Sequence, residues 1–325
     1  MERGRHHTAF LFFITFIFGH YQVSSAYLFP GQGSQHVGMG LELYQNTPEA
    51  RAVFDQADEQ LGFALSQLCF TGPEDSLTDT VNQQPALFVT SLAMWQRMQA
   101  QGWEMPAYMA GHSLGELSAL TAAGALSFAD GLRLVRQRGE LMKAAGEREP
   151  GAMAAILALD IPTVKEICEQ ASDETGAVQV ANDNCPGQVV ISGDEAALTR
   201  AMALAEEAKA RKVVKLPITI AAHSRLMASA AEAFAEAVDA TPIEAPVVPV
   251  IANVTAQPLI TPEQIRDELK AQLTAGVAWT DSMNYLLGEG VDTFVEVGPG
   301  DTLLSFMKRI DRKANRIKLT FGENL

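Results

Sequence analysis

The sequence predicts an α/β fold: a large domain with a mainly parallel sheet, interrupted by a small ferredoxin-like unit. Three observations carry that expectation. Short apolar runs alternate with segments of helical period, the pattern of a sheet wound with helices. Between residues 150 and 218 the order becomes β-α-β-β-α-β, that of a ferredoxin-like unit. The stretch "MAGHSLGELSALTAAGAL", residues 109–126, sets a serine between two glycines where an apolar strand runs into a helix.

Taken in order, residues 26–29 form a short apolar strand that stops at Pro30-Gly31. Residues 49–61 and 85–99 carry helical apolar spacing. A strand at 108–110 feeds the glycine-flanked serine, and helices follow at 115–123 and 128–145, the second with Ser127 as cap. The inserted unit reads as strand 152–159, helix 162–171, strands 177–181 and 188–193 around "NDNCPG", helix 195–209 and strand 212–216. Pro162 suits the first turn of its helix. Helix 224–240, strand 248–253, helix 262–273 and strand 293–297 complete the large domain, and Gly298-Pro299-Gly300 precedes a final helix. The expected division is 26–149 with 219–320 for the large domain and 150–218 for the small one. Residues 1–25 form an extension. Its charged start, apolar run 9–18 and "VSSA" resemble a secretory signal, but cleavage after Ala26 would clip the first strand, which favours a start placed too early. The run is also too short to span a bilayer.

A chain of 325 residues can bury a full core. A net charge of -15 argues against nonspecific nucleic-acid binding, which depends on neutralising phosphates. Three separated cysteines, Cys69, Cys168 and Cys185, form neither a metal knuckle nor a disulfide framework and fit a reducing compartment. No H-E-x-x-H occurs, so no metal site is expected.

The chemistry centres on Ser113. In a nucleophile elbow the chain turns so sharply that the serine side chain stands exposed. A serine hydroxyl is scarcely ionised at neutral pH and needs a base. His112 is adjacent, but neighbours in such a turn point apart, so it reads as a packing residue. His223, in "LPITIAAHSRLM", lies between the small unit and a helix, at an edge between domains. A lone histidine beside apolar residues is more often a satisfied core residue than a catalyst, and spacing alone does not choose. The N–H of Leu114, just after the serine, suits an oxyanion hole, and the loop Gly31-Gln32-Gly33 offers a second donor. Arg138 sits beside Leu134 and Leu141 on the apolar face of its helix. A buried guanidinium needs a partner, either a structural carboxylate or a substrate's carboxylate.

"FPGQGSQ", "QQPALF", "GHSLGE", "VRQRGELM", "NDNCPGQVVISG", "AAHSRLM" and "VEVGPG" occur in one order along residues 26–312. In these motifs the chain resembles the malonyl-CoA:acyl carrier protein transacylases. The resemblance implies an α/β-hydrolase-like large domain with a ferredoxin-like insertion. It makes Ser113 the nucleophile, His223 its base, and Arg138 the grip on the malonyl carboxylate. The N–H groups of Gln32 and Leu114 would form the oxyanion hole, Gln84 and Asn182 would line the pocket, and the backbone carbonyl of Gln272 would orient His223. The partners implied are malonyl-CoA and acyl carrier protein, with no bound cofactor, nucleic acid or membrane. A cytoplasmic monomer in fatty-acid synthesis is expected; a polyketide acyltransferase or a thioester hydrolase of the same fold is the alternative. Ala222, where malonyl-selective relatives in polyketide synthases are often bulkier, leaves room for an α-substituent, whereas Leu114 matches the malonyl-selective pattern. Two basic segments are candidate carrier-docking patches: Lys209, Arg211, Lys212 and Lys215, and then Lys308, Arg309, Arg312, Lys313, Arg316 and Lys318.

Overall fold

The computed structural model describes residues 24–320. Its strands, in chain order, are β1 (Ser25–Phe29), β2 (Tyr108–Gly111), β3 (Ala152–Leu157), β4 (Val178–Cys185), β5 (Gln188–Gly193), β6 (Lys212–Lys215), β7 (Val250–Ile251), β8 (Pro258–Leu259), β9 (Thr293–Glu296) and β10 (Asn315–Lys318). They form a six-stranded sheet in the order β10-β9-β1-β2-β7-β8 and a four-stranded sheet in the order β4-β5-β3-β6. All pairs of the larger sheet are parallel except β7 with β8.

Alternation along β1 shows why this sheet is covered on both faces. Tyr27 and Phe29 pack into one core with Phe88, Leu92 and Leu117, while Ala26 and Leu28 pack into another with Trp279 and Phe294. A strand buried on both sides needs the continuous apolar run that residues 26–29 supply. The register aligns Phe29 with Gly111 and Leu28 with Glu296, so β1, β2 and β9 end together. Ligands of parallel α/β sheets bind at such carboxyl ends.

The small sheet is antiparallel throughout, and with its order and β-α-β-β-α-β connectivity it is the ferredoxin-like subdomain expected. Ala154 and Ile156 face its two helices, Ile161–Ala171 and Glu195–Glu207. Met153 and Val190 face the other way, with Leu216, Ile218 and Ala222 against them. That second face turns towards the large sheet's carboxyl ends.

Several elements differ from the sequence reading. The helix expected from residue 85 is Thr80–Ala100, capped by Asp79, with Pro85 inside it. Proline cannot donate to the carbonyl four residues back. Here that carbonyl, on Val81, accepts from Arg136 Nη1 at 3.2 Å instead. The helix expected over 224–240 begins as a 3-10 turn, Arg225–Met227, before Ala228–Asp239. Strand 248–253 shortens to β7, and Asn253 beyond it turns to Ser113 and Glu116. Helices Leu41–Asn46, Leu65–Thr71, Glu74–Thr78 and Trp279–Gly288, with strand β8, are additions to the elements the sequence predicts. The final helix stops at Ile310, and the lysine-bearing segment after it pairs with β9 as the edge strand β10. The expectations for residues 1–23 lie outside the described residues; Ser25, placed in the extension, already pairs with Thr293. Among the described residues no helix is long and apolar enough to cross a membrane.

Candidate active site

Ser113 sits between β2 and the helix Leu114–Ala122 with φ 52° and ψ -110°. A non-glycine residue in that region stores roughly 1–3 kcal/mol of strain. The flanking glycines make the turn possible: a Cβ on Gly111 would lie 1.9 Å from the Gly115 oxygen, and one on Gly115 would lie 2.0 Å from the Phe29 oxygen. Asn253 clips the turn. Its Oδ1 accepts from the Ser113 N–H at 2.6 Å, and its Nδ2 donates to the Gly111 carbonyl at 2.7 Å.

His223 meets Ser113 across the cleft, Nε2 to Oγ at 2.8 Å. Its Nδ1–H donates to the carbonyls of Gln272 at 2.9 Å and Ala275 at 3.1 Å. Carbonyls only accept, so Nδ1 carries the proton and Nε2 faces the serine as an acceptor. Gln179 Nε2 donates to the His223 carbonyl at 3.0 Å and to the Thr274 carbonyl at 3.0 Å, fastening the two loops together. Burial lowers the His223 pKa to about 3, with the Arg138 and His112 charges adding to it. The imidazole is therefore neutral at physiological pH.

Arg138 enters from the helix Phe128–Arg148 and is only 1% exposed. It donates to Gln84 Oε1 at 2.8 Å, Gln272 Oε1 at 3.0 Å and Ser113 Oγ at 3.1 Å. Its Nε has no partner, and among the described residues no carboxylate pairs with it directly. Burial lowers its pKa to about 10, against the opposing pull of Glu116, and leaves it charged. A charged fork with no carboxylate partner, next to a nucleophile, fits a carboxylate-bearing substrate.

A cavity of about 520 Å³ opens over Ser113 and His223. Gln32, Gln83 and Met142 line one wall, Met153, Asn182, Val190 and Ala222 the small-sheet wall, and Phe306 the remaining side. The Leu114 N–H stands at the start of its helix and the Gln32 N–H in the loop after β1; neither makes a hydrogen bond among the described residues. His112 is held by Asn184 Oδ1 at 2.8 Å and packs on Trp279, and burial lowers its pKa to about 4.

A family model for the acyl transferase domain matches residues 26–319. The malonyl CoA-acyl carrier protein transacylase of Bacillus subtilis is 45% identical over 300 residues, covering 92% of this chain and 94% of its own length. The chain belongs to the malonyl-CoA:acyl carrier protein transacylase family. The solved Coxiella burnetii transacylase superposes with a TM-score of 0.89 at 38% identity, over 91% of this chain and 93% of its own. A malonyl-transacylase solved in complex with its type II PKS acyl-carrier protein gives 0.88 at 36% identity, over 91% and 96%.

Ser113, His223, Gln32 and Asn182 line the cavity, and Leu114, Arg138 and Gln272 lie buried just behind it, Arg138 bonded to both Ser113 Oγ and Gln272 Oε1. Gln84 does not line it. It is 1% exposed and sits behind Arg138, where Thr80 Oγ1 and Met142 Sδ take its Nε2. Successive residues on a helix point about 100° apart, so Gln83 takes the cavity face, with a buried Oε1 that has no partner. Sequence reasoning also passed over Asn253 and Glu116. Glu116 lies within "GHSLGE", but a carboxylate in a helix's first turn ordinarily complements the dipole from the surface. This one is fully buried.

Proposed function

We propose that this transacylase carries a malonyl group from malonyl-CoA to the phosphopantetheine thiol of acyl carrier protein, through an ester on Ser113, in fatty-acid synthesis. The observation that carries the reading is the buried, carboxylate-free Arg138 fork 3.1 Å from a serine that is itself paired with His223. His223 Nε2 takes the Ser113 proton as Oγ adds to the thioester carbonyl. The N–H groups of Gln32 and Leu114 receive the oxyanion. When the C–S bond breaks, the coenzyme A thiolate takes the proton from His223, leaving malonyl-serine. The carrier thiol then gives its proton to His223, its sulfur attacks the ester, and Ser113 recovers the proton as it leaves. The Gln272 and Ala275 carbonyls serve where many triads have a carboxylate: they fix the imidazole tautomer. One chain supplies every group named, so the reading is of a monomer, and three unpaired buried cysteines suit the cytoplasm. The likeness to a transacylase solved with a type II PKS carrier supports the same chemistry on a polyketide carrier as the second reading.

The test is intact-mass spectrometry after mixing with malonyl-, acetyl- or methylmalonyl-CoA. A malonyl adduct that Ser113→Ala abolishes, and that the carrier discharges faster than water does, is expected. An adduct that survives Ser113→Ala at the wild-type rate would refute the nucleophile; discharge by water as fast as by carrier would make the protein a hydrolase.

A further inference from the structure

Glu116 is wholly buried beneath the elbow and makes no contact with the cavity, yet three N–H donors converge on it. Its Oε1 accepts from the Asn253 backbone N–H at 2.8 Å and from Asn253 Nδ2 at 2.9 Å; its Oε2 accepts from Gln272 Nε2 at 2.5 Å. The two side chains that serve it are the two that hold the reacting groups. Asn253 presents its remaining polar atom, Oδ1, to the Ser113 N–H. Gln272 presents its remaining oxygen, Oε1, to Arg138, and its Nε2 also reaches the Ser113 carbonyl at 3.1 Å.

Chemistry allows each amide one orientation only. Arg138 has donors and no acceptor, so Gln272 must turn its oxygen to the guanidinium and its NH2 to Glu116. The Ser113 N–H likewise needs the Asn253 oxygen, which sends the Asn253 NH2 to Glu116 and Gly111. Both orientations depend on an acceptor at position 116. Burial, with the neighbouring Glu268, raises the Glu116 carboxyl well above its usual range against the pull of the amide donors, yet three N–H groups point at its two oxygens. The donor set decides in favour of a group that accepts at both oxygens.

We propose that Glu116 is a positioning residue: through Asn253 it locks the strained backbone of Ser113, and through Gln272 it aims Arg138 at the substrate carboxylate. The Arg138 half of this rests on the malonyl-binding reading above; the Ser113 half does not. A single buried carboxylate thus couples nucleophile geometry to acyl-group selection. It acts on the far side of the amides, with no contact to substrate.

Glu116→Gln tests this, because it keeps the size but places one NH2 against donors. Whichever way that NH2 turns, it opposes Gln272 Nε2 or the Asn253 donors. Three readouts separate the possibilities: the ratio of malonyl to acetyl loading (as kcat/KM), the rate at which a fluorophosphonate labels Ser113, and the melting temperature. The expected result is a malonyl-to-acetyl ratio lower by about tenfold or more, the scale of a lost charge-assisted hydrogen bond, together with slower Ser113 labelling. Gln272→Leu, which removes the bridge but keeps the carbonyl that holds His223, should lower the ratio similarly and stands in if Glu116→Gln does not fold. Glu268→Gln, altering the neighbouring buried carboxyl whose Oε1 accepts from the Val254 N–H at 2.8 Å, should leave the ratio within about twofold, below the scale of one lost hydrogen bond. The proposal is overturned if Glu116→Gln keeps the wild-type ratio while Arg138→Ala collapses it, or if Glu268→Gln lowers it equally. Should Arg138→Ala itself leave the ratio unchanged, the malonyl-binding reading fails instead, and labelling decides: slowed labelling in Glu116→Gln supports the elbow role, and unchanged labelling overturns it.

Discussion

Replacing Arg138 by alanine removes a guanidinium that makes three hydrogen bonds in a site where it is 1% exposed. At that depth water cannot take over its role towards a bound carboxylate. Leaving one partner of a buried ion pair uncompensated costs roughly 3–5 kcal/mol. If the pair persists into the transition state, malonyl loading should slow by about two to nearly four decades. Acetyl has no carboxylate. It loses only the donation from Arg138 to Ser113 Oγ, an interaction of about 1.5 kcal/mol, or one decade. The malonyl-to-acetyl ratio should therefore fall by at least about tenfold. Arg138→Lys keeps the charge without the planar fork and should fall between alanine and wild type. Single-turnover mixing with each thioester, quenched and read by intact mass, measures both rates on the same enzyme. Equal losses for the two acyl groups would show that Arg138 serves only the packing of Gln84 and Gln272, and the carboxylate argument would be wrong.

Three further outcomes are expected. Because His223 is held near a pKa of about 3, chiefly by burial, its neutral form persists as pH falls. Malonyl-loading kcat/KM should stay flat from about pH 7 to pH 5, where an exposed histidine of pKa about 6.5 would lose about twenty-five-fold; a titration centred near that ordinary value would contradict the geometry. Ala222 lines the cavity, so Ala222→Phe should spare malonyl loading but depress methylmalonyl loading by about 1–3 kcal/mol of overpacking, and unchanged methylmalonyl kinetics would remove Ala222 from the specificity argument. The helix Thr302–Ile310 sends Thr302, Leu303 and Phe306 into the cavity and carries exposed Lys308, whereas Lys209, Arg211 and Lys212 lie at or before the start of β6, away from the rim residues Leu216 and Pro217. Reversing Lys308 and Arg312 to Glu should slow transfer to an acidic carrier more than reversing the β6 trio, and added salt should mimic it, since the Debye length is about 8 Å at physiological ionic strength; transfer at the wild-type rate in both the pair and the trio, and at all salt levels, would exclude electrostatic docking. Arg309 and Arg316 are poorer choices for reversal. Arg309 bonds the Pro186 and Gly187 carbonyls, and Arg316 bonds those of Asp311 and Ala314.

What the sequence determined by itself is local. Gly111 and Gly115 announce an elbow because a side chain at either position would strike backbone within the same turn or the adjacent strand. Leu134 and Leu141 put Arg138 on a buried face because helical period fixes which residues share a side. The β-α-β-β-α-β order fixes the small unit because few topologies satisfy it. Tertiary structure decided what local spacing leaves open. Ser113 and His223 are 110 residues apart, and only the packing of the small sheet over the large one brings them to 2.8 Å. The exchange of roles between Gln83 and Gln84 turns on the rotation of one helix about its axis, which a window of apolar residues specifies too coarsely. Asn253 reads as the end of a strand, yet it lies beyond β7 and turns to the elbow's N–H. Glu116 reads as a surface acid at a helix start, because its burial comes from Asn253 and Gln272, more than a hundred residues away in the chain. Local preference sets backbone shape over a few residues. Which polar group ends up buried, and opposite which partner, is settled only when distant segments exclude water from the same place.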